Sequence, residues 1–357
     1  MSKTARGFTH TVLLVSVLAV AVLAGLFFIS ASKNGALKPV TQSVSQLFAS
    51  PTPTPFAFQE ITIPYLRNRS YESSLGTLEK LSESSDFTSY VTSYLSDGLK
   101  VYGLLTIPKG EVPDKGWPAI VFVHGYIPPQ EYRTRVNYLS YVNFLAQNGF
   151  VVFKIDLRGH DNSEGEPGGG YYSGDYVIDT LNAHSALANS NFVNPKAIGL
   201  WGHSMAGNIV FRSFVASLKV PAVVIWAGAG YTYSDLQSYR IQDSSYQTPP
   251  PNSERSRKRQ ELRNLYGDFD PEDDFWKQVP GTNYLEGVKG AVQVNHAVND
   301  NVVSLDYSRN LMSVLDNSEI VHKLNEYPSG GHNLEGASFT QAMQETVDFF
   351  TKYLIIK

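Results

Sequence analysis

The sequence of 357 residues contains no cysteine, which excludes disulfide bonds, thiolate metal sites and a cysteine nucleophile. It also lacks an excess of positive charge, since 29 Lys and Arg stand against 33 Asp and Glu for a net charge of −4. Proteins that bind nucleic acid usually present a basic face to the phosphates, so we expect no nucleic-acid partner. Hydrophobic residues make up 42% of the chain, enough to bury a core, and this excludes disorder of the whole chain.

Long apolar runs are also rare, and the one that stands out is TVLLVSVLAVAVLAGLFFIS at 11–30. At about 1.5 Å per residue it is long enough to cross the ~30 Å core of a bilayer as a helix. We expect a single-pass anchor in the cell membrane, with a cytoplasmic tail at 1–10 and the remainder outside the cytoplasm. The alternative is a signal peptide that is cleaved on secretion. Lys33 and Lys38 nearly balance the charge of the tail, so the opposite orientation stays open.

The segment 31–57 has the composition of a linker. Ser, Thr, Gln and Ala surround a Pro-Thr-Pro-Thr-Pro run at 51–55, which favours an extended chain and cannot support a core. We therefore expect the folded domain to occupy 58–357. Nothing in the pattern indicates its oligomeric state.

Within this domain, β-rich stretches come first, and apolar runs then alternate with segments of helical periodicity. The predicted strands are 58–64, 87–94, 99–107, 119–125, 150–158, 197–204, 222–228, 291–297 and 323–328. The predicted helices are 136–148, 175–189, 206–217, 304–315 and 338–354. Such alternation predicts an α/β fold in which a mostly parallel sheet is covered by helices on both faces, after an antiparallel lead-in. A ligand site is then expected beyond the carboxyl ends of the strands.

One serine follows a predicted strand and precedes a predicted helix. The sequence GHSMAG at 202–207 resembles the sharp strand-to-helix turn that exposes a nucleophilic serine, here Ser204. Residues two before and two after such a serine must be small, and Gly202 and Ala206 satisfy this condition, although alanine replaces the usual second glycine. Such strings also recur by chance, and it is the position between strand and helix that favours the functional interpretation.

A serine nucleophile needs a histidine base and an acid, which follow it in the chain in the order acid, then histidine. Three histidines follow Ser204; of these, His296 lies inside a predicted strand and His322 at the start of another. His332 instead follows a strand in the glycine-rich PSGGHN, so we expect it to be the base, with His322 as the next choice. Asp300 lies in a turn directly after a strand, and we expect it to be the acid; the alternative role is a simple Asx turn.

These motifs carry a resemblance to a known family. The segments VFVHGY, DLRGHDNSEG, GLWGHSMAG, NHAVNDNVVS and YPSGGH resemble, in this order, an α/β-hydrolase, specifically the catalytic domain of the prolyl oligopeptidase family, over 85–357. The resemblance implies that Ser204, Asp300 and His332 form a catalytic triad. It also implies that the backbone N–H groups of Tyr126 and Met205 form the oxyanion hole. Neither a cofactor nor a metal is expected.

The chain departs from that family in two ways. It has no room for the β-propeller that filters substrates, and NHAVND replaces the usual His-Gly pair before the acid. We expect a serine peptidase acting on peptide substrates. The alternatives are a hydrolase of small acyl or carbohydrate esters, and a catalytically silent binding protein on the same fold.

A long connection at about 232–288 separates two predicted strands, and we expect it to form a lid over the site. It contains a basic run (Arg255, Arg257, Lys258, Arg259 and Arg263) and an acidic run (Asp268, Asp270, Glu272, Asp273 and Asp274). The first interpretation is a solvated helix whose charges pair with the nearby acids. The alternative is that one run holds a charged end of the substrate. His160 and His203 flank the motifs and are weaker candidates for substrate contact.

Overall fold

The computed structural model describes residues 55–355, and a nine-stranded sheet forms its centre. The strands are β1 (Glu79–Glu83), β2 (Phe87–Ser96), β3 (Leu99–Pro108), β4 (Trp117–Val123), β5 (Val151–Ile155), β6 (Val193–His203), β7 (Ala222–Trp226), β8 (Ala291–Ala297) and β9 (Val321–Tyr327). Their order across the sheet is β1-β2-β3-β5-β4-β6-β7-β8-β9. The pairs β1–β2, β2–β3 and β3–β5 are antiparallel, and the others are parallel. The predicted fold class, a mostly parallel sheet with an antiparallel lead-in, is confirmed.

Eight α-helices accompany the sheet in the described part of the chain. They are α1 (Ile63–Asn68), α2 (Leu139–Gln147), α3 (Asp175–Ala188), α4 (Ala206–Ser217), α5 (Tyr233–Ser238), α6 (Glu254–Tyr266), α7 (Asp306–Leu315) and α8 (Ala337–Leu354). The five helices that the periodicity predicts are α2, α3, α4, α7 and α8.

The helices cover both faces of the sheet, because its central strands are apolar on both sides. In β4, Val121 and Val123 belong to a core cluster that includes α3 and α4. The alternate residues Ile120 and Phe122 belong to a second cluster, with α2 and α8. Side chains of a strand alternate between the two faces, so one continuous apolar run supplies two cores.

The prediction of a strand at 58–64 is wrong. The chain there forms a short 3₁₀ turn over Gln59–Ile61 and then α1. Thr62 caps this helix, since its hydroxyl oxygen accepts a hydrogen bond from the Tyr65 N–H, and Pro64 lies in the first turn, where its missing N–H costs nothing. The segment is nevertheless buried, which explains its apolar composition.

The predicted anchor and cytoplasmic tail, and all but the last residues of the linker, lie outside residues 55–355. Within that range, no helix combines the length and the hydrophobicity needed to cross a membrane.

Candidate active site

Ser204 lies in the tight turn between β6 and α4, with a φ of 56°. Its N–H donates to the carbonyl oxygen of Trp226 at 2.9 Å, and its own carbonyl accepts from the Gly207 N–H at 2.9 Å. A Cβ at position 202 would lie 2.7 Å from the carbonyl oxygen of Ala206, so only glycine fits there without displacement. The left-handed backbone of a non-glycine residue is the strained geometry that exposes a nucleophile at such a turn.

His332 and Asp300 meet at the adjacent ends of β8 and β9. The Nδ1 atom of His332 lies 2.8 Å from Oδ2 of Asp300. The loops that carry them are tied together, because the Gly331 N–H donates to Oδ1 of Asn299 at 3.0 Å. Since a carboxylate can only accept, Nδ1 carries the proton, and Nε2 is the nitrogen left for a base.

Asp300 also forms the Asx turn that its sequence suggests. Its Oδ1 accepts hydrogen bonds from the N–H groups of Val302 and Val303, at 2.8 and 3.0 Å. Burial alone would raise the pKa of this carboxyl, but hydrogen bonds from His296 and His332 outweigh burial and hold the pKa well below its usual value. The carboxyl is therefore ionised at neutral pH, and the two interpretations of Asp300 are compatible.

His296 is a contact that sequence reasoning missed. It is fully buried in β8, and its Nε2 lies 3.1 Å from Oδ2 of Asp300 and 3.1 Å from the carbonyl oxygen of Val303. Its Nδ1 lies 2.7 Å from Oγ of Ser308. Two acceptors next to Nε2 require a proton there, so Nε2 donates to Asp300 and Val303. The only sequence signal was its position four residues before Asp300.

His203 connects the two sides of the site. Its Nε2 donates to the carbonyl oxygen of His332 at 3.0 Å, and its Nδ1 lies 2.7 Å from the Tyr138 hydroxyl. That hydroxyl also accepts from the Gly125 N–H at 3.0 Å. Burial, together with the nearby His332, lowers the pKa of His203 to about 3, so the ring is neutral. Since both ring nitrogens are hydrogen-bonded to the protein, His203 fits a role in positioning the His332 loop better than a role in substrate contact.

His160 is buried, and its Nδ1 lies 3.1 Å from the carbonyl oxygen of Arg158. Among the described residues, His160 does not line either of the cavities at Ser204. His322 lies at the opposite end of β9 from this site, where its Nε2 is 3.0 Å from Oδ1 of Asp316. Neither histidine can therefore serve Ser204.

Two cavities meet at Ser204. The first, of about 640 Å³, includes His203, His332 and Tyr138. The second, of about 720 Å³, includes Met205 and the glycine-rich stretch 168–170. Ser204, Tyr126 and Asp243 line both. Each cavity has a size typical of small-molecule sites.

The two N–H groups that the resemblance assigns to the oxyanion hole lie beside these cavities. Within residues 55–355, neither the Tyr126 nor the Met205 N–H donates to another protein group. Buried or half-buried backbone donors are almost always paired, so two unpaired ones beside a strained serine are available for an oxygen of a ligand.

The predicted lid segment contributes to both cavities. Asp243 and Ser245 line the first, and Leu236, Tyr246 and the start of α6 line the second. The basic run forms α6, in agreement with its interpretation as a solvated helix. Some of its charges form ion pairs: Arg263 lies 3.1 Å from Asp268, and Lys258 pairs with Glu254 within the helix. Within residues 55–355, no three His, Asp or Glu side chains are arranged to hold a metal ion.

Comparisons with known proteins agree with this architecture. A family model described as serine aminopeptidase, S33, matches residues 117–239. Mouse dipeptidyl peptidase 8 is 30% identical over 141 residues, which cover 38% of this chain and only 16% of the relative. The chain thus spans a small part of that relative's length.

Two solved structures extend the comparison to the whole fold. A puromycin-hydrolyzing peptidase of Mycobacterium tuberculosis superposes with a TM-score of 0.59 at 18% identity, over 77% of this chain and 41% of its own. Acetyl xylan esterase 1 of Thermoanaerobacterium sp. superposes with a TM-score of 0.55 at 20% identity, over 83% of this chain and 95% of its own. At such identities the likeness establishes the fold alone. Together with the family match over 117–239, it shows that the chain has an α/β-hydrolase fold.

Proposed function

We propose that the protein is a serine hydrolase that cleaves acyl bonds through an acyl-enzyme on Ser204, with His332 as base and Asp300 as acid. One observation carries the proposal: Ser204 and His332 line the same cavity, and the ring of His332 is hydrogen-bonded to the ionised Asp300. A serine hydroxyl is a weak nucleophile, and this arrangement is the one that activates it.

The proton positions give the order of steps. As Ser204 Oγ attacks the carbonyl carbon, its proton passes to Nε2 of His332. The Nδ1–H of the same ring keeps its hydrogen bond to Asp300. The carbonyl oxygen becomes an oxyanion and accepts hydrogen bonds from the N–H groups of Tyr126 and Met205. When the intermediate collapses, Nε2–H protonates the leaving atom. Water then attacks the ester formed on Ser204 through the same proton transfers, which releases the acid and restores the hydroxyl.

The two cavities separate the two parts of a substrate. The leaving group must lie near the imidazole that protonates it, hence in the first cavity, which His332 lines. The acyl part then extends on the other side of Ser204 into the second cavity, which Met205 lines and His332 does not.

Peptide bonds are the first candidate for the scissile bond. The serine aminopeptidase family model and the dipeptidyl peptidase relative support it. Ester bonds are the second candidate, and a specific observation favours them. The superposition covers 95% of the acetyl xylan esterase and 41% of the puromycin-hydrolyzing peptidase. The same site performs either reaction, because both pass through a tetrahedral intermediate.

Two experiments test the proposal. A fluorophosphonate probe should label the wild type but not Ser204→Ala; equal labelling, or none, would contradict an activated Ser204 and support a silent binding protein. A panel of aminoacyl amides and short-chain esters, compared by kcat/KM, then distinguishes the candidates. Faster turnover of amides with a free amino terminus supports the peptidase, whereas cleavage of esters alone supports the esterase.

A further inference from the structure

Arg255 is a cation without a partner in the second cavity at Ser204. It lies in the first turn of α6, is half-buried and lines that cavity. Within residues 55–355 its guanidinium forms no ion pair and no hydrogen bond, although it carries five N–H donors. A half-buried guanidinium is costly to desolvate unless an acceptor meets it, so an unpaired one in a cavity points to a ligand.

The other cations of this cavity are already engaged. Arg158 binds Asp175 and Asp179, with N–O distances of 3.1 and 2.7 Å. Lys258 lies 2.7 Å from Glu254. The guanidinium of Arg259 lies over the ring of Tyr172, 4.4 Å from its centroid. Arg255 is therefore the cation of this group that is available to a ligand.

Close packing holds Arg255 near the nucleophile. A Cβ at Gly169 would lie 2.8 Å from Nη2 of Arg255, so the guanidinium packs against the bare Cα of this glycine. The next residue, Gly170, packs in the same way against Met205, since a Cβ there would lie 2.6 Å from Cγ of Met205. Gly169 and Gly170 are neighbours, and neighbouring Cα atoms are about 3.8 Å apart. The contact of Arg255 with this loop therefore lies one residue away from the contact of Met205, the residue after Ser204.

The loop is fixed rather than loosely placed. The side-chain amide of Asn208 in α4 donates to the carbonyl oxygen of Gly170 at 2.9 Å, and the Tyr233 hydroxyl donates to the carbonyl oxygen of Tyr171. The distance between the guanidinium and the serine is thus set by the fold. A fixed distance of this kind selects for the position of a group along the substrate, as well as for its charge.

We propose that Arg255 binds a carboxylate on the acyl part of the substrate, so that this hydrolase prefers acyl groups with a remote negative charge. The proposal rests on the proposed function. A guanidinium and a carboxylate form two parallel N–H···O bonds, which fix orientation as well as affinity. The acyl chain crosses the apolar part of the cavity, formed in part by Ile61, Leu236 and Tyr171. Such groups are an acidic residue before a scissile peptide bond, or a dicarboxylic acid linked as a monoester.

The carboxylates of Glu60 and Glu166 line the same cavity, and they favour a positive rather than a negative charge on the acyl part of the substrate. Glu166 is exposed, so solvent screens it strongly, whereas Glu60 is half-buried. An ammonium on the acyl part would meet these carboxylates and be repelled by Arg255. The comparison of an anionic, a neutral and a cationic acyl group therefore decides between the two charges.

The test uses three para-nitrophenyl esters of equal chain length: the monoester of adipic acid, hexanoate, and the ester of ε-aminocaproic acid. Spontaneous hydrolysis is subtracted from each rate. We expect the full-length wild type to favour adipate over hexanoate in kcat/KM. Arg255→Gln should lower this ratio by about tenfold, which is ~1.4 kcal/mol. Arg255→Lys should retain part of it, because Lys keeps the charge and loses the planar fork.

Arg257→Gln is the matched control. It removes a guanidinium from the same helix, but Arg257 is exposed, does not line the cavity and donates to the carbonyl oxygen of Asn252. This variant should keep the wild-type ratio. An adipate-to-hexanoate ratio that is the same in Arg255→Gln and wild type overturns the inference, as does an equal loss in Arg257→Gln or a wild-type preference for the aminocaproate ester.

The two proposals fail in different ways. If hexanoate is cleaved by the wild type and not by Ser204→Ala, while Arg255 has no influence on the ratio, only the inference is wrong. If no ester is cleaved in a manner that depends on Ser204, the proposed function is wrong and the inference falls with it. Thermal unfolding of Arg255→Gln and Arg255→Lys checks that both variants are folded.

Discussion

His296 Nε2 lies 3.1 Å from Oδ2 of Asp300, the same oxygen that lies 2.8 Å from Nδ1 of His332. One carboxylate oxygen thus accepts from two imidazoles, while the other accepts from two backbone N–H groups. Four donors hold the carboxylate in place and keep it ionised. Because Asp300 is hydrogen-bonded to His332, any group that fixes Asp300 also acts on the position of the proposed base.

Replacement of His296 should therefore reduce turnover more than substrate affinity. We expect His296→Ala to lower kcat by about tenfold or more with little change in KM, since a hydrogen bond to a charged group contributes ~1.5–3 kcal/mol. His296→Gln, which can still donate to Asp300, should recover part of kcat. His322→Ala, at the far end of β9, is the control and should match the wild type. Loss of stability without loss of kcat per folded molecule would reduce His296 to a structural residue.

The three proposed triad residues should behave as one unit. Ser204→Ala and His332→Ala should each lose nearly all turnover, and the double variant should be hardly worse than either alone, because the residues act in the same step. Asp300→Asn should also be severely impaired, since an amide cannot hold His332 as an ionised carboxylate does. Steady-state kinetics with an activated ester measure all four. Full activity in His332→Ala would end this assignment.

The turn at Ser204 should not tolerate a side chain at position 202. A Cβ there meets the carbonyl oxygen of Ala206 and Cγ2 of Val210, at 2.7 and 2.8 Å. We expect Gly202→Ala to cost about 1–3 kcal/mol in unfolding free energy and to reduce kcat by moving Ser204. Gly149→Ala is the control for kcat: no atom lies within 4 Å of its added Cβ, but its φ of 88° makes alanine strained there, and it lies before β5, at the opposite end of the sheet from Ser204. It should lower stability and leave kcat unchanged. Urea denaturation and kcat together separate the two effects, and an unchanged kcat in Gly202→Ala would argue against a strained nucleophile.

Mild acid should destabilise the fold through three buried histidines. Burial lowers the pKa of His124 and His203 to about 3 and that of His160 to about 4. In the unfolded chain each titrates near 6.5, so from about pH 6.5 down to about pH 4 it is mainly the unfolded state that takes up these protons. Stability therefore falls as the pH drops, by up to ~1.4 kcal/mol per histidine and pH unit.

Buried carboxyl groups oppose this trend, since burial raises the pKa of Asp179 and Asp235 as well as that of Asp156. Burial raises the pKa of Asp156 to about 6, so the folded state takes up one proton in the same window. Near pH 5 the three histidines and Asp156 together should give a net loss on the order of 3 kcal/mol per pH unit. The lowered pKa of Asp300 adds a further loss only below about pH 4, where the unfolded carboxyl titrates. Urea denaturation at pH 7, 6 and 5 measures this slope, and equal stability at all three values would contradict it.

The apolar segment at 11–30 makes a prediction that concerns the cell. We expect it to anchor the chain in the membrane with the hydrolase domain outside the cytoplasm. Protease added to intact cells or spheroplasts should then digest the domain, and deletion of 1–32 should release it from the membrane fraction. Protection until lysis would reverse the orientation, and loss of the segment from the mature protein would indicate cleavage instead.

Local patterns predicted most of the elements. The apolar run of β8 matches its predicted bounds, and so does the periodicity of α4, because long segments with one dominant period admit few alternatives. The strand β1 was not predicted. All five of its residues are exposed, so burial imposes no pattern on them, and only pairing with β2 makes this segment a strand.

The sequence by itself determined the fold class and the order of the candidate residues Ser204, Asp300 and His332, because these depend on what directly follows each strand. Only the tertiary structure placed His296 within hydrogen-bond distance of Asp300. It also packed Arg255 against Gly169, in the cavity that Met205 lines. Both contacts join segments whose patterns give no reason for them: a histidine inside an apolar strand and one of the four arginines in a basic run. Side-chain contacts of this kind arise from how packed elements meet in space, and that information is not local in the chain.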